Sequence, residues 1–216
     1  MTKVHPNAAV TLPTATMSTV ASDRKEAVLT VWKKSLLFNC NGFTVYDGKG
    51  DLVFRVDNYM QGHKGEILLM DAAGKPLLTI RRKRLSLGDN WLVYDGETVV
   101  NPLFSVRKNV NILNNKSLAQ VSRTNCEHNG TGSSSSSNNK NMMMYEIEGS
   151  YAQRCCAVYD GKRRVAEIKQ KEAVGGVAFG VDVFRLIVQP EIDTSVAMAI
   201  VILLDKMFGS SRRFSS

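Results

Sequence analysis

Nine consecutive apolar residues near the C-terminus constrain this chain more than any other stretch: Val196, Ala197, Met198, Ala199, Ile200, Val201, Ile202, Leu203 and Leu204. Asp193 or Thr194 offers an N-cap oxygen ahead of them and Gly209 follows, so the spacing predicts a helix closed by a left-handed turn. A surface helix carries an apolar stripe, whereas this one is apolar on every face and must be enclosed by lipid or by its own chain. A membrane span needs about 20 apolar residues to cross about 30 Å of hydrocarbon. The unbroken run covers only about 14 Å, and residues 194–208 about 22 Å. Asp205 and Lys206 interrupt even that. Enclosure by protein is the expectation.

The enclosing material is legible upstream. Residues 27–32, 43–46, 52–56, 66–70, 76–82, 91–94, 103–106, 144–147, 155–159, 164–168 and 181–188 read as short β-type runs. Asp47-Gly48-Lys49-Gly50 and Asp71-Ala72-Ala73-Gly74-Lys75 read as hairpin turns, with glycine where positive φ is needed. Three runs end alike, in Val45-Tyr46-Asp47-Gly48, Val93-Tyr94-Asp95-Gly96 and Val158-Tyr159-Asp160-Gly161. Strand-end and turn preferences explain the recurrence, with duplication as the alternative. Residues 109–141, rich in Asn, Ser and Gly, read as a flexible excursion, and residues 1–24 and 209–216 as tails around one domain at 25–208.

Without that excursion, the helix and the tails, about 136 residues remain; at about 11 residues per strand and turn they make about twelve strands. A sheet this large curls or closes, and a closed barrel of that size is too wide for its own side chains to fill. The predicted fold is mainly β: a closed antiparallel barrel of about twelve strands enclosing the hydrophobic C-terminal helix.

The net charge of +8 suggests an anionic partner. It is concentrated in Arg81, Arg82, Lys83 and Arg84, at the end of one β-type run. Strand alternation would put Arg82 and Arg84 on one face and Arg81 and Lys83 on the other. A charge facing the interior is prohibitively costly, so the strand must end here or lie at the rim. There the cluster could collect an anionic lipid headgroup, at about 1 kcal/mol per basic residue and about 4 kcal/mol in all, enough for reversible attachment. The competing explanation is a solvated edge that discourages aggregation. Arg163 and Arg164 would add to the patch only if the fold brought them close. Direct nucleic-acid binding is not expected, because only Trp91 lies near the cluster and it reads as core.

Catalytic constellations are scarce. His5 lies in the predicted tail, His128 in the predicted excursion and His63 in a turn-like setting. Glu146 and Glu148 share one strand face, which reads as solvated surface. No nucleophile-elbow, phosphate-loop or dinucleotide pattern occurs, so no enzyme, cofactor or metal site is expected. Cys40 and Cys126 stand alone, while Cys155 and Cys156 are adjacent and would point to opposite faces of a strand. Without a secretory signal, reduced thiols in a cytoplasmic or nuclear monomer are expected, peripheral at the membrane if the cluster binds lipid.

These pieces together resemble the plant LURP-one-related proteins, a branch of the tubby-like architecture. The resemblance runs from about residue 27 to 208. It is carried by Phe43-Thr44-Val45-Tyr46-Asp47, Leu52-Val53-Phe54-Arg55-Val56-Asp57-Asn58-Tyr59, Leu68-Leu69-Met70-Asp71-Ala72-Ala73-Gly74-Lys75-Pro76-Leu77, Trp91-Leu92-Val93-Tyr94 and residues 193–204. It implies a barrel threaded by the helix, kinship with phospholipid scramblases and phosphoinositide-tethered tubby-like proteins, and a link to plant defence or transcription. It implies no catalytic residue, and no tubby lipid-binding motif matches here residue by residue. The expected function is a non-enzymatic binding or adaptor module that touches anionic phospholipid through Arg81, Arg82, Lys83 and Arg84, with protein partners unspecified. The alternatives are a ligand carrier or enzyme with a pocket between barrel and helix, and a nucleic-acid-binding protein.

Overall fold

The computed structural model describes residues 25–36, 41–58, 66–84, 86, 88–109, 117–124, 142–173, 175, 176 and 178–209. Their strands are β1 (Ala27–Trp32), β2 (Asn41–Tyr46), β3 (Leu52–Asn58), β4 (Glu66–Asp71), β5 (Pro76–Arg82), β6 (Asn90–Asp95), β7 (Phe104–Lys108), β8 (Ser117–Arg123), β9 (Met143–Ser150), β10 (Cys155–Asp160), β11 (Arg163–Gln170) and β12 (Val183–Val188), followed by α1 (Thr194–Phe208). Each strand pairs antiparallel with its sequence neighbours. β1 closes the ring on β12, with Val31 opposite Phe184 and Leu29 opposite Leu186.

Eleven of the twelve strands fall on the β-type runs read from the sequence. The twelfth, β8, lies inside residues 109–141, which were expected to form an excursion between strands. Its inward residues Ser117, Ala119 and Val121 are small but buried, and it pairs with β7 and β9. The described strand at 117–123 corrects that reading. The tails fall outside the described residues apart from Gly209.

Alternation explains the wall. Leu29 and Val31, Phe43 and Val45, Phe54 and Val56, Ile67 and Leu69, Leu78 and Ile80 point inward and are buried; of the residues between them Thr30, Arg55 and Leu68 are half-buried, while Thr44 and Thr79 are buried as well. On α1, Ala197, Met198, Ala199, Ile200, Val201, Ile202, Leu203, Leu204 and Met207 are buried, while Val196 in the first turn is only half-buried and packs against the core. A wall built from twelve strands buries one side of each; the helix supplies the apolar surface that the inward side chains need. Each large aliphatic residue enclosed this way contributes about 1.5–3 kcal/mol.

The caps set where the helix starts and stops. Asp193 Oδ1 accepts from the Ser195 N–H at 2.7 Å and from the Ser195 hydroxyl at 2.5 Å. Gly209 closes the other end, but at φ −64° and ψ 123°, not in the expected left-handed turn. Its N–H donates to the Asp205 carbonyl at 2.8 Å, and a Cβ there would lie 2.3 Å from that oxygen. Close approach, and not handedness, is what requires glycine.

Because the strands alternate in direction, the odd-numbered ones finish at the end where α1 leaves the barrel (the exit end) and the even-numbered ones at the end where it enters. Val45-Tyr46-Asp47-Gly48, Val93-Tyr94-Asp95-Gly96 and Val158-Tyr159-Asp160-Gly161 therefore all lie at the entry end, on β2, β6 and β10, four strands apart around the ring. Asp47 organises its turn by accepting from the N–H groups of Lys49 and Asp51 at 2.8 and 2.9 Å. The Asp51 N–H contributes most to holding this carboxyl below the usual range. In that hairpin Gly50, at φ +92°, takes the left-handed conformation and Gly48 does not.

Cys155 is exposed and Cys156 buried, on opposite faces of β10 as alternation requires. Burial, with Cys155 adding, pushes the Cys156 thiol up to about 12. Alkylation of the folded protein at about pH 8, followed by peptide mapping, is therefore expected to modify Cys155 long before Cys156. Equal rates would contradict the assigned faces.

Candidate functional site

The last turn of α1 comes out among cations drawn from distant parts of the chain. Lys33, just past β1, pairs with Asp205 at 2.8 Å. Lys108, ending β7, donates to the Met207 carbonyl at 3.1 Å and lies 4.6 Å from the Phe208 ring centroid. Cations suit this position because the final helical carbonyls lack partners within the helix. Tyr151, in the β9–β10 turn, donates to Asp205 Oδ1 at 3.3 Å. Burial raises its pKa far above the usual value, with Asp205 adding and Arg154 opposing, so the hydroxyl stays protonated.

Arg154 is 5% exposed and sits at φ +51°. Its Nε donates to the Val181 carbonyl at 2.8 Å and its Nη1 to the Tyr151 carbonyl at 3.4 Å. The guanidinium lies 4.1 Å and 4.4 Å from the Tyr151 and Phe184 ring centroids. Among the described residues no carboxylate pairs with it. Two carbonyls and two aromatic faces do that work. Lys206 is exposed by area, yet its surroundings are crowded enough that desolvation lowers its pKa, Asp205 opposing and Lys33 adding. Lys33, Lys34, Tyr151, Arg154, Asp205 and Lys206 are among the lining of a cavity of about 980 Å³ beside this turn.

The predicted basic cluster lies at the same end. β5 stops at Arg82, at the rim as the desolvation argument requires. Arg81 pairs with Glu66 at 2.5 Å and Arg82 with Asp89 at 2.7 Å. Lys83 and Arg84 lie beyond the strand, are exposed, and pair with no carboxylate among the described residues. Two of the four charges are thus already answered. Arg163 and Arg164 begin β11, at the entry end and across the ring from β5, where Arg163 pairs with Asp160 and Glu191 and Arg164 with Glu167. They do not join the cluster.

The remaining sequence candidates stay apart from this end or outside it. His5, His63 and His128 lie outside the described residues. Glu146 and Glu148 flank buried Ile147 on β9 and are half-buried. Trp91 is core, 8% exposed. Among the described residues no group of three or more His, Cys, Asp or Glu is placed to hold a metal ion, and no helix is long and apolar enough to cross a membrane. Sequence reasoning missed Lys33, Tyr151, Arg154 and Lys108, which no local pattern connects. In the sequence Asp205 and Lys206 read only as interruptions of the apolar run.

The matches to known proteins agree with this architecture. The family model described as LURP-one-related matches residues 27–205. Protein LURP-one-related 8 of Arabidopsis thaliana is 54% identical, over 98% of this chain and 100% of its own length. Protein LURP-one-related 17 of the same plant is 43% identical over 95% of each chain. An Arabidopsis thaliana protein solved by X-ray crystallography superposes with a TM-score of 0.57, covering 84% of this chain and 91% of that one; at 22% identity the likeness is one of fold.

Proposed function

The chain belongs to the LURP-one-related family, and from that premise we propose a non-enzymatic binding or adaptor module whose exit end rests on anionic phospholipid, in a plant-defence or transcriptional setting. The observation that supports it most is how charge is divided between the two ends. Lys33, Lys34, Arg81, Arg82, Lys83, Arg84, Lys108, Arg154 and Lys206 gather at the exit end, where Glu66, Asp89 and Asp205 are engaged in pairs and Asp182 and Glu172 are exposed. At the entry end the turns after β2, β4, β6 and β10 open with Asp47, Asp71, Asp95 and Asp160, and these offset the cations in and just after those turns, Lys49, Lys75, Lys162, Arg163 and Arg164, the last two already paired with acids. A surface divided this way orients the barrel end-on to an anionic layer.

Co-sedimentation with phosphatidylcholine vesicles, with and without a phosphoinositide, is the test. The Arg81/Arg82/Lys83/Arg84→Ala protein is expected to bind the anionic vesicles at least about thirtyfold more weakly, since Lys83 and Arg84 alone contribute about 1 kcal/mol each and loss of Arg81 and Arg82 leaves Glu66 and Asp89 unpaired. Identical binding would remove the cluster from the account.

A second reading, a carrier or enzyme using a pocket between barrel and helix, is favoured by the cavity beside Tyr151, Arg154 and Lys206. A retained ligand would add mass to the native protein after exposure to a plant lipid extract. A spectrum containing only the bare chain would remove this reading.

A further inference from the structure

At the exit end, the corner formed by β1 and β12 combines exposed apolar side chains with unanswered lysines. Trp32 is 41% exposed, Leu36 50%, Phe179 39% and Val181 57%. Trp32 is opposite Val183, and the Lys33 N–H donates to the Asp182 carbonyl at 2.7 Å, which brings the segment before β12 alongside the end of β1. Lys34 lies 5.0 Å from the Trp32 ring centroid; Lys171 lies 5.3 Å from that of Phe179 and donates to Thr30, on the same outward face of β1 as Trp32, at 3.2 Å. Among the described residues neither lysine pairs with a carboxylate. The acids of this corner are exposed Asp182 and Glu172, the latter 3.7 Å from Arg185.

Nothing in folding requires an indole and a phenyl ring to stay half in water beneath ammonium groups. Aromatic rings whose flanking lysines reach past them suit the boundary between headgroups and acyl chains, where the ring is buried and the charge meets phosphate. The geometry points to this corner as the membrane anchor: Trp32, Phe179, Leu36 and Val181 enter the interfacial layer of an anionic bilayer, with Lys34 and Lys171 on its phosphates. This rests on the phospholipid reading above and adds a part to it. Arg82, Lys83 and Arg84, four strands round the same rim, supply attraction, and the aromatic corner supplies depth. The other exposed apolar group of the barrel argues for the choice by contrast. Val99, Val100, Leu103, Met142 and Met143 lie at the entry end and carry no aromatic ring, and the one cation beside them among the described residues, Arg123, is outnumbered by Asp95 and Glu97, which an anionic surface repels.

The chain contains its own reporter, since of its two tryptophans Trp32 is exposed and Trp91 buried. Full-length protein is mixed with vesicles of phosphatidylcholine alone or with phosphatidylserine or a phosphoinositide, and both co-sedimentation and tryptophan emission are read. The expected result is binding to the anionic vesicles with a blue shift of emission and quenching by lipids brominated on their acyl chains. Trp32→Ser/Phe179→Ser is expected to bind about tenfold or more weakly. Lys34→Glu/Lys171→Glu is expected to lose at least about thirtyfold, and Met142→Ser/Met143→Ser to match the wild type. Undiminished co-sedimentation with unshifted emission, and wild-type binding by Trp32→Ser/Phe179→Ser, would overturn the anchor while leaving the phospholipid reading intact. Absence of binding to every vesicle would overturn both. An emission change caused by an oligonucleotide and not by vesicles would assign the corner to nucleic acid and overturn it as well.

Discussion

Leu203→Asp is expected to leave no cooperatively folded protein. Leu203 is wholly buried, on a helix whose neighbours Ile200, Ile202 and Leu204 are equally enclosed. The substitution removes the aliphatic side chain, at about 2–5 kcal/mol for truncation alone, and places a carboxylate at a position wholly shut off from water. The sum matches or exceeds the whole stability of a typical domain, about 5–15 kcal/mol. Circular dichroism should show loss of the β spectrum and of any sharp thermal transition. Leu203→Met, which keeps volume and polarity, is expected to cost less than about 1.5 kcal/mol. A folded Leu203→Asp protein with a near-native melting temperature would mean that α1 does not fill the barrel.

Gly149→Val is the next largest expected effect, and its cause is local. Gly149 sits at φ +108°, opposite Cys156, and a Cβ there would fall 2.2 Å from the Cys155 carbonyl oxygen. A β-branched residue meets both penalties, for a destabilisation of about 3 kcal/mol or more. In a domain of this size that corresponds to about 10 °C in melting temperature. Gly42 offers an independent check, because a Cβ there would lie 1.8 Å from the Val56 carbonyl oxygen on the neighbouring strand. Gly48→Ala, at an open turn position without positive φ, should change stability by less than about 0.5 kcal/mol. Equal melting temperatures for Gly149→Val and Gly48→Ala would contradict the β9–β10 geometry.

The barrel was legible because its two signals are local: period-two alternation in short runs, and a helix apolar on all faces. β8 escaped because its buried residues are Ser117, Ala119 and Val121, too small and too polar to stand out, while Leu118 faces the partly covered outer side. Its strand character comes from β7 and β9 on either side. The basic cluster was equally legible, being contiguous, but the acids that answer half of it were not. Glu66 and Asp89 come from β4 and from the loop before β6 and meet Arg81 and Arg82 only through sheet register. The exit-end site is the extreme case. Lys33, Tyr151, Arg154 and Asp205 are brought together by ring closure and by the helix crossing the barrel from end to end. Trp32 and Phe179 converge for the same reason.

In this fold α1 is the interior of the barrel. Hydrogen–deuterium exchange followed by mass spectrometry tests it directly on the peptide covering 194–208. If the helix is enclosed by the sheet, its amides exchange only through global unfolding, as slowly as those of β12 and β1, whose pairing closes the ring. Exchange of that peptide well ahead of the strands, in a protein whose sheet remains protected, would show that the helix leaves while the barrel stands and would contradict that placement.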